Sequence, residues 1–143
     1  MARQDFTFFH ALRVRWSEVD MQAVVFNGNY LNYVDVAFTE YWRATGLPNA
    51  QQQAREGQEL YARKAGLEYL APARFDDVLT IGMRCGRIGN SSMQFLIEIY
   101  RDTDLLVSGE LVYVYADTAA RRAVTVNPAW RAIIMNFETL APA

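Results

Sequence analysis

The residues best placed to do chemistry stand in one stretch, Ser17-Glu18-Val19-Asp20-Met21-Gln22-Ala23-Val24-Val25-Phe26-Asn27-Gly28-Asn29-Tyr30. An acidic side chain, Asp20, is followed by a short apolar loop, and the loop runs into a strong helix start. The first N–H groups of a helix have no intrahelical partner and carry partial positive charge. The backbone N–H groups of Asn27 and Gly28 are therefore candidate donors to an oxyanion. The Asp20 carboxylate stands where it could face the positive end of the helix dipole, which makes it the best active-site candidate in the sequence. Gly28 leaves room for a close backbone approach. The alternative is that Asp20 only caps its own loop, a common use of Asp in turns.

The other common catalytic kits are missing. One histidine, His10, and one cysteine, Cys85, cannot build a usual zinc site, so no metal and no cofactor is expected. There is no G-x-S-x-G nucleophile elbow and no dinucleotide or Walker glycine pattern. His10 lies beside aromatics on the first predicted strand and reads as structural. Cys85 is in phase with Leu79, Ile81 and Met83 and reads as a buried thiol.

The positioning elements follow from periodicity. A strand is predicted over 6–16 and a helix over 28–45, with Asn27 as N-cap, Gly46 as C′ residue and Pro48 as stop. At about 100° per residue, Tyr30, Val34, Ala37, Phe38 and Tyr41 share one stripe, and Leu31, Tyr33 and Trp42 widen it to roughly half the circumference. Asn32, Asp35, Thr39, Glu40 and Arg43 fall on the other side. So wide an apolar arc calls for a curved sheet wrapped around the helix.

Residues 49–58 are polar and connect helix to sheet, with some helical character. After residue 58 the period becomes 2. Tyr61, Ala65, Leu67, Tyr69 and Ala71 alternate with polar neighbours, as do Leu79 to Cys85 and Met93 to Ile99. Residues 105–116 are nearly continuous and predict a central strand covered on both faces. A short strand over 122–126 precedes a terminal helix, opened by Asn127-Pro128 and packed through Trp130, Ile133, Ile134 and Phe137. Strands grouped in hairpin succession give an antiparallel sheet and an α+β class.

The 143 residues fit a single domain, 1–143, that buries roughly 68–70% of its unfolded surface and needs no disulfide. A net charge of −2 without a basic block argues against a nucleic-acid footprint. The pair Arg121-Arg122 reads as a solvated turn. The N-terminus is too short and polar for a signal peptide, and no run approaches the roughly 18 apolar residues of a membrane span. A soluble cytoplasmic protein is expected, and the single cysteine fits a reducing compartment. Eight Tyr, eight Phe and three Trp supply either a large aromatic core or a pocket or subunit interface.

The chain resembles hotdog-fold acyl-CoA thioesterases of the 4-hydroxybenzoyl-CoA thioesterase type. The resemblance is carried by Arg13-Val14-Arg15-Trp16, Asp20, the run from Val24 through Tyr33 and Asp35-Val36-Ala37. Downstream it includes Glu68-Tyr69-Leu70-Ala71-Pro72 before Asp77, Gly89-Asn90-Ser91-Ser92, and Gly109-Glu110 through Asp117. It covers nearly the whole chain. Ala23 stands where many relatives carry Gly, and Asn27 where some carry His or Tyr.

The resemblance implies a hotdog fold, a curved antiparallel sheet wrapped around a long central helix, in a homo-oligomer (dimer or tetramer) with active sites at the dimer interface. It implies hydrolysis of an acyl-CoA to free acid and CoA, the matching Asp20 either attacking the carbonyl or activating water. Val25, Phe26 and Tyr30 become candidate substrate-binding residues. In the hydroxybenzoyl branch an acid matching Asp35 approaches the partner subunit's aryl group; here Asp35 is alternatively a solvated or interface carboxylate. Arg87, with Gly89 and Ser91 at a strand turn, is a candidate contact for pantetheine or a nucleotide phosphate, or an ordinary exposed arginine. Hydrolysis of acyl groups on acyl carrier protein, and non-catalytic binding of acyl thioesters, are the alternatives.

Overall fold

Strict alternation over Leu79–Cys85 and Met93–Ile99 sets the core of the computed structural model, which describes residues 2–143. Leu79, Ile81, Met83 and Cys85 on β3 (Val78–Ile88) and Met93, Phe95, Ile97 and Ile99 on β4 (Ser92–Arg101) are all fully buried. Truncating any one of the larger aliphatic side chains to Ala would cost about 2–5 kcal/mol. Around these two strands the sheet order is β1-β3-β4-β5-β2, antiparallel throughout, with β1 Phe8–Arg13, β2 Gln58–Tyr69 and β5 Asp104–Asp117. A two-residue β6, Arg122–Ala123, adds to the end of β5. The sheet curves around α1, Asn29–Thr45, giving the α+β hotdog arrangement. The β2 and β5 backbones pass so close at Gly109 that a Cβ there would lie 2.2 Å from the Gly66 carbonyl oxygen.

The α1 face turned to the sheet carries Tyr30, Tyr33, Val34, Ala37, Tyr41 and Trp42, all buried. Leu31 departs from the expected arc and is 44% exposed. It shares a flank with Phe38 and Trp42 but lies two turns before the Tyr113 ring that covers Phe38. Gly46 ends the helix in the left-handed conformation, φ 79°. The polar connector forms α2, Ala50–Arg55, with Asn49 and Gln52 in a reciprocal capping box.

Three further expectations change. The first strand is shorter than 6–16, because the chain leaves the sheet at Val14 and turns through a 3₁₀ segment, Trp16–Glu18. In β2 the in-phase set is broken by a bulge between Ala62 and Lys64. Leu60 packs inward before the bulge and Leu67 after it, so Tyr61 falls outside. The apolar run in β5 is not covered on both faces. Val107, Leu111 and Tyr115 face the core and are buried, whereas Val112 and Val114 on the outer face are only half-buried; only Leu106 and Ala116, toward its two ends, are buried there.

The terminal helix α3, Pro128–Phe137, starts on an Asn127 side chain that accepts from the Ala129 N–H at 2.9 Å. Its end closes the core with a carboxyl group. Glu138 Oε2 accepts from the Tyr41 O–H at 2.6 Å and from the Cys85 N–H at 2.7 Å. Its Oε1 is buried without a hydrogen-bond partner. Burial raises the Glu138 pKa, and the pull of Tyr41, the Cys85 N–H and Arg84 does not offset it. Burial also pushes the Cys85 thiol up to about 12.

Candidate active site

The Asp20 stretch is a tight hairpin. Val19 and Val25 face each other across an antiparallel bridge. The Asp20 N–H donates to the Val24 carbonyl and the Ala23 N–H to the Asp20 carbonyl, each at 2.9 Å. Asp20 Oδ1 accepts from the Gln22 N–H at 2.8 Å, a local Asx turn. Asp20 Oδ2 makes no hydrogen bond among the described residues. Ala23 closes the turn at φ 62°, a left-handed conformation that costs an L-residue roughly 1–2 kcal/mol. The hairpin is stitched to the loop after β2 by the Val25 N–H on the Ala73 carbonyl, 2.8 Å, and by the Val24–Arg74 bridge.

The helix start differs from the expected Asn27 cap. Gly28 already has helical angles, φ −64° and ψ −24°, and no side chain caps the helix. Instead the Asn29 N–H donates to the Phe26 carbonyl at 2.8 Å and the Tyr30 N–H to the Asn27 carbonyl at 3.3 Å. These 3₁₀-type bonds consume the donors a cap would have served. The N–H groups of Asn27 and Gly28 have no acceptor among the described residues. A Cβ on Gly28 would stand 3.0 Å from the Phe26 ring, so glycine lets the exposed ring lie over the backbone there.

A cleft of about 390 Å³ opens on this end of α1, bordered by Asp20, Val25, Phe26, Asn27 and Tyr30. Buried Tyr30 accepts from the Ala73 N–H at 3.1 Å, and burial raises its phenol pKa. Tyr69, at the end of β2, forms the far wall. Its ring packs 5.3 Å from that of Tyr30, and its hydroxyl points at the Asn27 carbonyl, 3.4 Å away. Sequence reasoning gave Tyr69 no role at the site; an aromatic at a strand end before Ala71-Pro72 was the available signal.

Glu18 was missed as well, and it ties the region together. Its Oε1 accepts from the Arg15 N–H at 2.7 Å and the Tyr33 O–H at 2.8 Å, and its Oε2 from Arg15 Nε at 2.9 Å. Its carbonyl accepts from the Phe26 N–H at 3.0 Å and from Asn29 Nδ2 at 2.9 Å. Burial works to raise the Glu18 pKa, but the hydrogen bonds and charge of Arg15 and the Tyr33 hydroxyl outweigh it, so the carboxylate sits below its ordinary value. Beside this turn Trp16, 74% exposed, meets Phe75 edge-on at 5.3 Å.

The remaining candidates lie elsewhere in this chain. Asp35 is exposed on α1 and borders a second cavity of about 560 Å³, whose apolar wall includes Phe38, Trp42 and Tyr113. Phe38 stacks between Tyr113, 4.6 Å, and Trp42, 5.4 Å. Arg87 is exposed just past a bulge in β3, and Ser91 sits in the β3–β4 turn, its carbonyl accepting from the Tyr115 N–H. The Asp20 hairpin adjoins the start of β3, whereas Arg87 is about 30 Å along that strand. Neither Arg87 nor Ser91 borders the Asp20 cleft. No group of three or more His, Cys, Asp or Glu among the described residues is arranged to hold a metal ion, and no helix is long and apolar enough to cross a membrane.

A family model described as the thioesterase superfamily matches residues 22–108. An acyl-CoA thioester hydrolase, YbgC, from Escherichia coli is 30% identical over 107 residues, which is 74% of this chain and 79% of that protein. Among solved structures, a 1,4-dihydroxy-2-naphthoyl-CoA thioesterase from Synechocystis superposes with a TM-score of 0.82 at 19% identity, covering 89% of this chain and 94% of that one. A Staphylococcus aureus protein crystallised in complex with CoA superposes with a TM-score of 0.86 at 15% identity, covering 95% and 86%. At these identities the structural likenesses carry the fold.

Proposed function

The chain belongs to the thioesterase superfamily, and from that membership we propose that it hydrolyses an acyl-CoA thioester, short- or medium-chain or aryl, to the free acid and CoA. One observation carries the reading. A carboxylate with an unengaged oxygen, Asp20, borders the same cleft as Phe26 and Asn27, and the backbone N–H groups of Asn27 and the adjoining Gly28 have no acceptor among the described residues.

The chemistry follows from that pairing. The thioester carbonyl oxygen takes the N–H groups of Asn27 and Gly28, which become better partners as charge develops on it; losing one such donor costs about 2.7–4 kcal/mol of transition-state stabilisation. Asp20 Oδ2 then either accepts a proton from an attacking water or attacks the carbonyl itself, giving a mixed anhydride that water opens. Both routes expel the CoA thiolate. Single turnover in ¹⁸O-water bears on the choice: label in the Asp20 carboxylate establishes an anhydride opened at the Asp20 carbonyl, whereas label in the released acid alone fits either direct water attack or an anhydride opened at the acyl carbonyl.

A second copy of the chain is part of the reading. β2 is an edge strand of 12 residues, exposed over 61–65, and it leads into the Tyr69 wall of the cleft. Two copies joined there would form a homodimer with sites near the junction. The Asp35 cavity of one would be available to the acyl group held by the other. Arg87 and Ser91 could then meet the pantetheine or phosphates of a CoA bound by a neighbouring subunit.

The test is thiol release from a panel of short, medium and aryl acyl-CoA and acyl carrier protein thioesters. We expect turnover of at least one, and at least a hundredfold slower release by Asp20→Asn with binding nearly unchanged; an unchanged rate in that variant sinks the assignment. Light scattering should show a dimer or tetramer, and an active monomer would contradict an interface site. A second reading, an acyl-thioester binding protein without turnover, draws on the Gln22 N–H that already occupies Asp20 Oδ1. Binding across the panel with no thiol release would favour it.

A further inference from the structure

We propose that Glu18 is the positioning residue of this site: it clamps the Asp20 hairpin to the first two turns of α1, and so fixes the spacing between the carboxylate and the open N–H pair. The inference rests on the hydrolase reading above.

Two grips make the clamp. The Glu18 carbonyl accepts from the Phe26 N–H and from Asn29 Nδ2, at 3.0 and 2.9 Å. Those two donors bracket Asn27 and Gly28, the residues whose N–H groups stay open. The carboxylate accepts from Tyr33 at 2.8 Å, one turn further along α1, and from the Arg15 N–H and Nε at 2.7 and 2.9 Å on the other side of the 3₁₀ turn. One residue thus joins the end of β1, the far arm of the hairpin and two levels of the helix, and Asp20 follows it by two positions. Glu18 does not border the cleft, and its side chain is only 12% exposed. Both oxygens are engaged by donors, which suits holding and not proton transfer.

Misplacing a reacting group by about 1 Å can cost on the order of a hundredfold in rate. Glu18→Gln keeps the shape and the Oε1 acceptor, but sets an NH₂ against Arg15 Nε–H, donor facing donor. We expect its kcat on a turned-over short acyl-CoA to fall about 10- to 100-fold with KM within twofold. Tyr33→Phe, which removes one hydroxyl from a buried ring, should lower kcat about three- to tenfold with the same split. In the Asp20→Asn background Glu18→Gln should add less than twofold, because the residue it positions no longer acts. A purely structural role would lower the melting temperature without that split or that non-additivity.

A folded Glu18→Gln enzyme within twofold of wild-type kcat overturns the proposal, as does an equal loss in the Asp20→Asn background. If Glu18→Gln does not fold, Tyr33→Phe decides by the same criteria. Wild-type protein that releases no thiol from any thioester overturns the hydrolase reading itself and this inference with it. A wild-type enzyme with an undiminished Glu18→Gln overturns this inference alone.

Discussion

Two glutamates hold the two ends of this molecule, and their pKa values are shifted in opposite directions. Glu18, at the open end, faces an arginine, a backbone N–H and a tyrosine hydroxyl, and is ionised at a lower pKa than usual. Glu138, at the closed end, offers one oxygen to Tyr41 and the Cys85 N–H and leaves the other without a hydrogen bond, and its pKa is raised. Both accept a hydrogen bond from a tyrosine hydroxyl of the same helix. The difference is the balance against burial: at Glu138 burial outweighs Tyr41, the Cys85 N–H and Arg84, whereas at Glu18 the hydrogen bonds and charge of Arg15 and the Tyr33 hydroxyl outweigh it. The same side chain acts as an ionic clamp where a loop must be pinned and as a buried hydrogen-bonding strut where the core is closed.

That contrast can be broken or sharpened in order of expected effect. Glu138→Ala leaves the buried Tyr41 hydroxyl and Cys85 N–H without acceptors, each worth about 1–3 kcal/mol, so urea unfolding should show a loss of about 3 kcal/mol or more. Tyr33→Phe removes one bond to a carboxylate that keeps Arg15, and should cost about 1.5 kcal/mol. Glu138→Gln should cost under about 1 kcal/mol, because the amide oxygen can still accept from the Tyr41 hydroxyl and the Cys85 N–H; a loss as large as that of Glu138→Ala would refute the strut description.

The two carboxyls also predict opposite pH slopes. The Glu138 contribution is complete below the ordinary glutamate value and is lost as pH rises through its raised folded value. The Glu18 contribution is complete above the ordinary value and is lost as pH falls through its lowered one. Stability measured against pH should flatten on the rising side in Glu138→Gln and on the acid side in Glu18→Gln. The smallest effect is chemical. With its pKa pushed up to about 12 in the buried core, Cys85 should resist iodoacetamide at pH 8 in native protein and react once unfolded, which mass spectrometry reads directly.

Two asparagines show what was legible in the sequence. Asn127 and Asn27 both precede helices, and both read as caps. At Asn127 the backbone is extended, with ψ 124°, so its side chain reaches the Ala129 N–H. At Asn27 the chain is already turning, Gly28 is helical, and backbone carbonyls take the donors first. Type and position matched in both cases; only the entry path of the chain differed. Alternation likewise located the inward residues of β3 from Leu79 to Cys85 and of β4, but failed in β2, where one inserted residue reverses the phase. Asp20, Val25, Phe26, Asn27 and Tyr30 come together because they are local in sequence. Tyr69 reaches the cleft through the fold, and the Glu18 clamp to Asn29 and Tyr33 spans a hairpin whose closure spacing alone does not specify. Neither was visible beforehand.

The Trp16–Phe75 contact divides the molecule for an optical experiment. Trp42 and Trp130 lie buried 5.6 Å apart in the core, while Trp16 stands in water at the turn that carries Glu18. Native emission should therefore contain a blue core population and a red surface one, and iodide should quench only the red. Movement of the Asp20 hairpin on adding a ligand and melting of the helix-filled core can then be followed independently, at two wavelengths, in one cuvette and without a label.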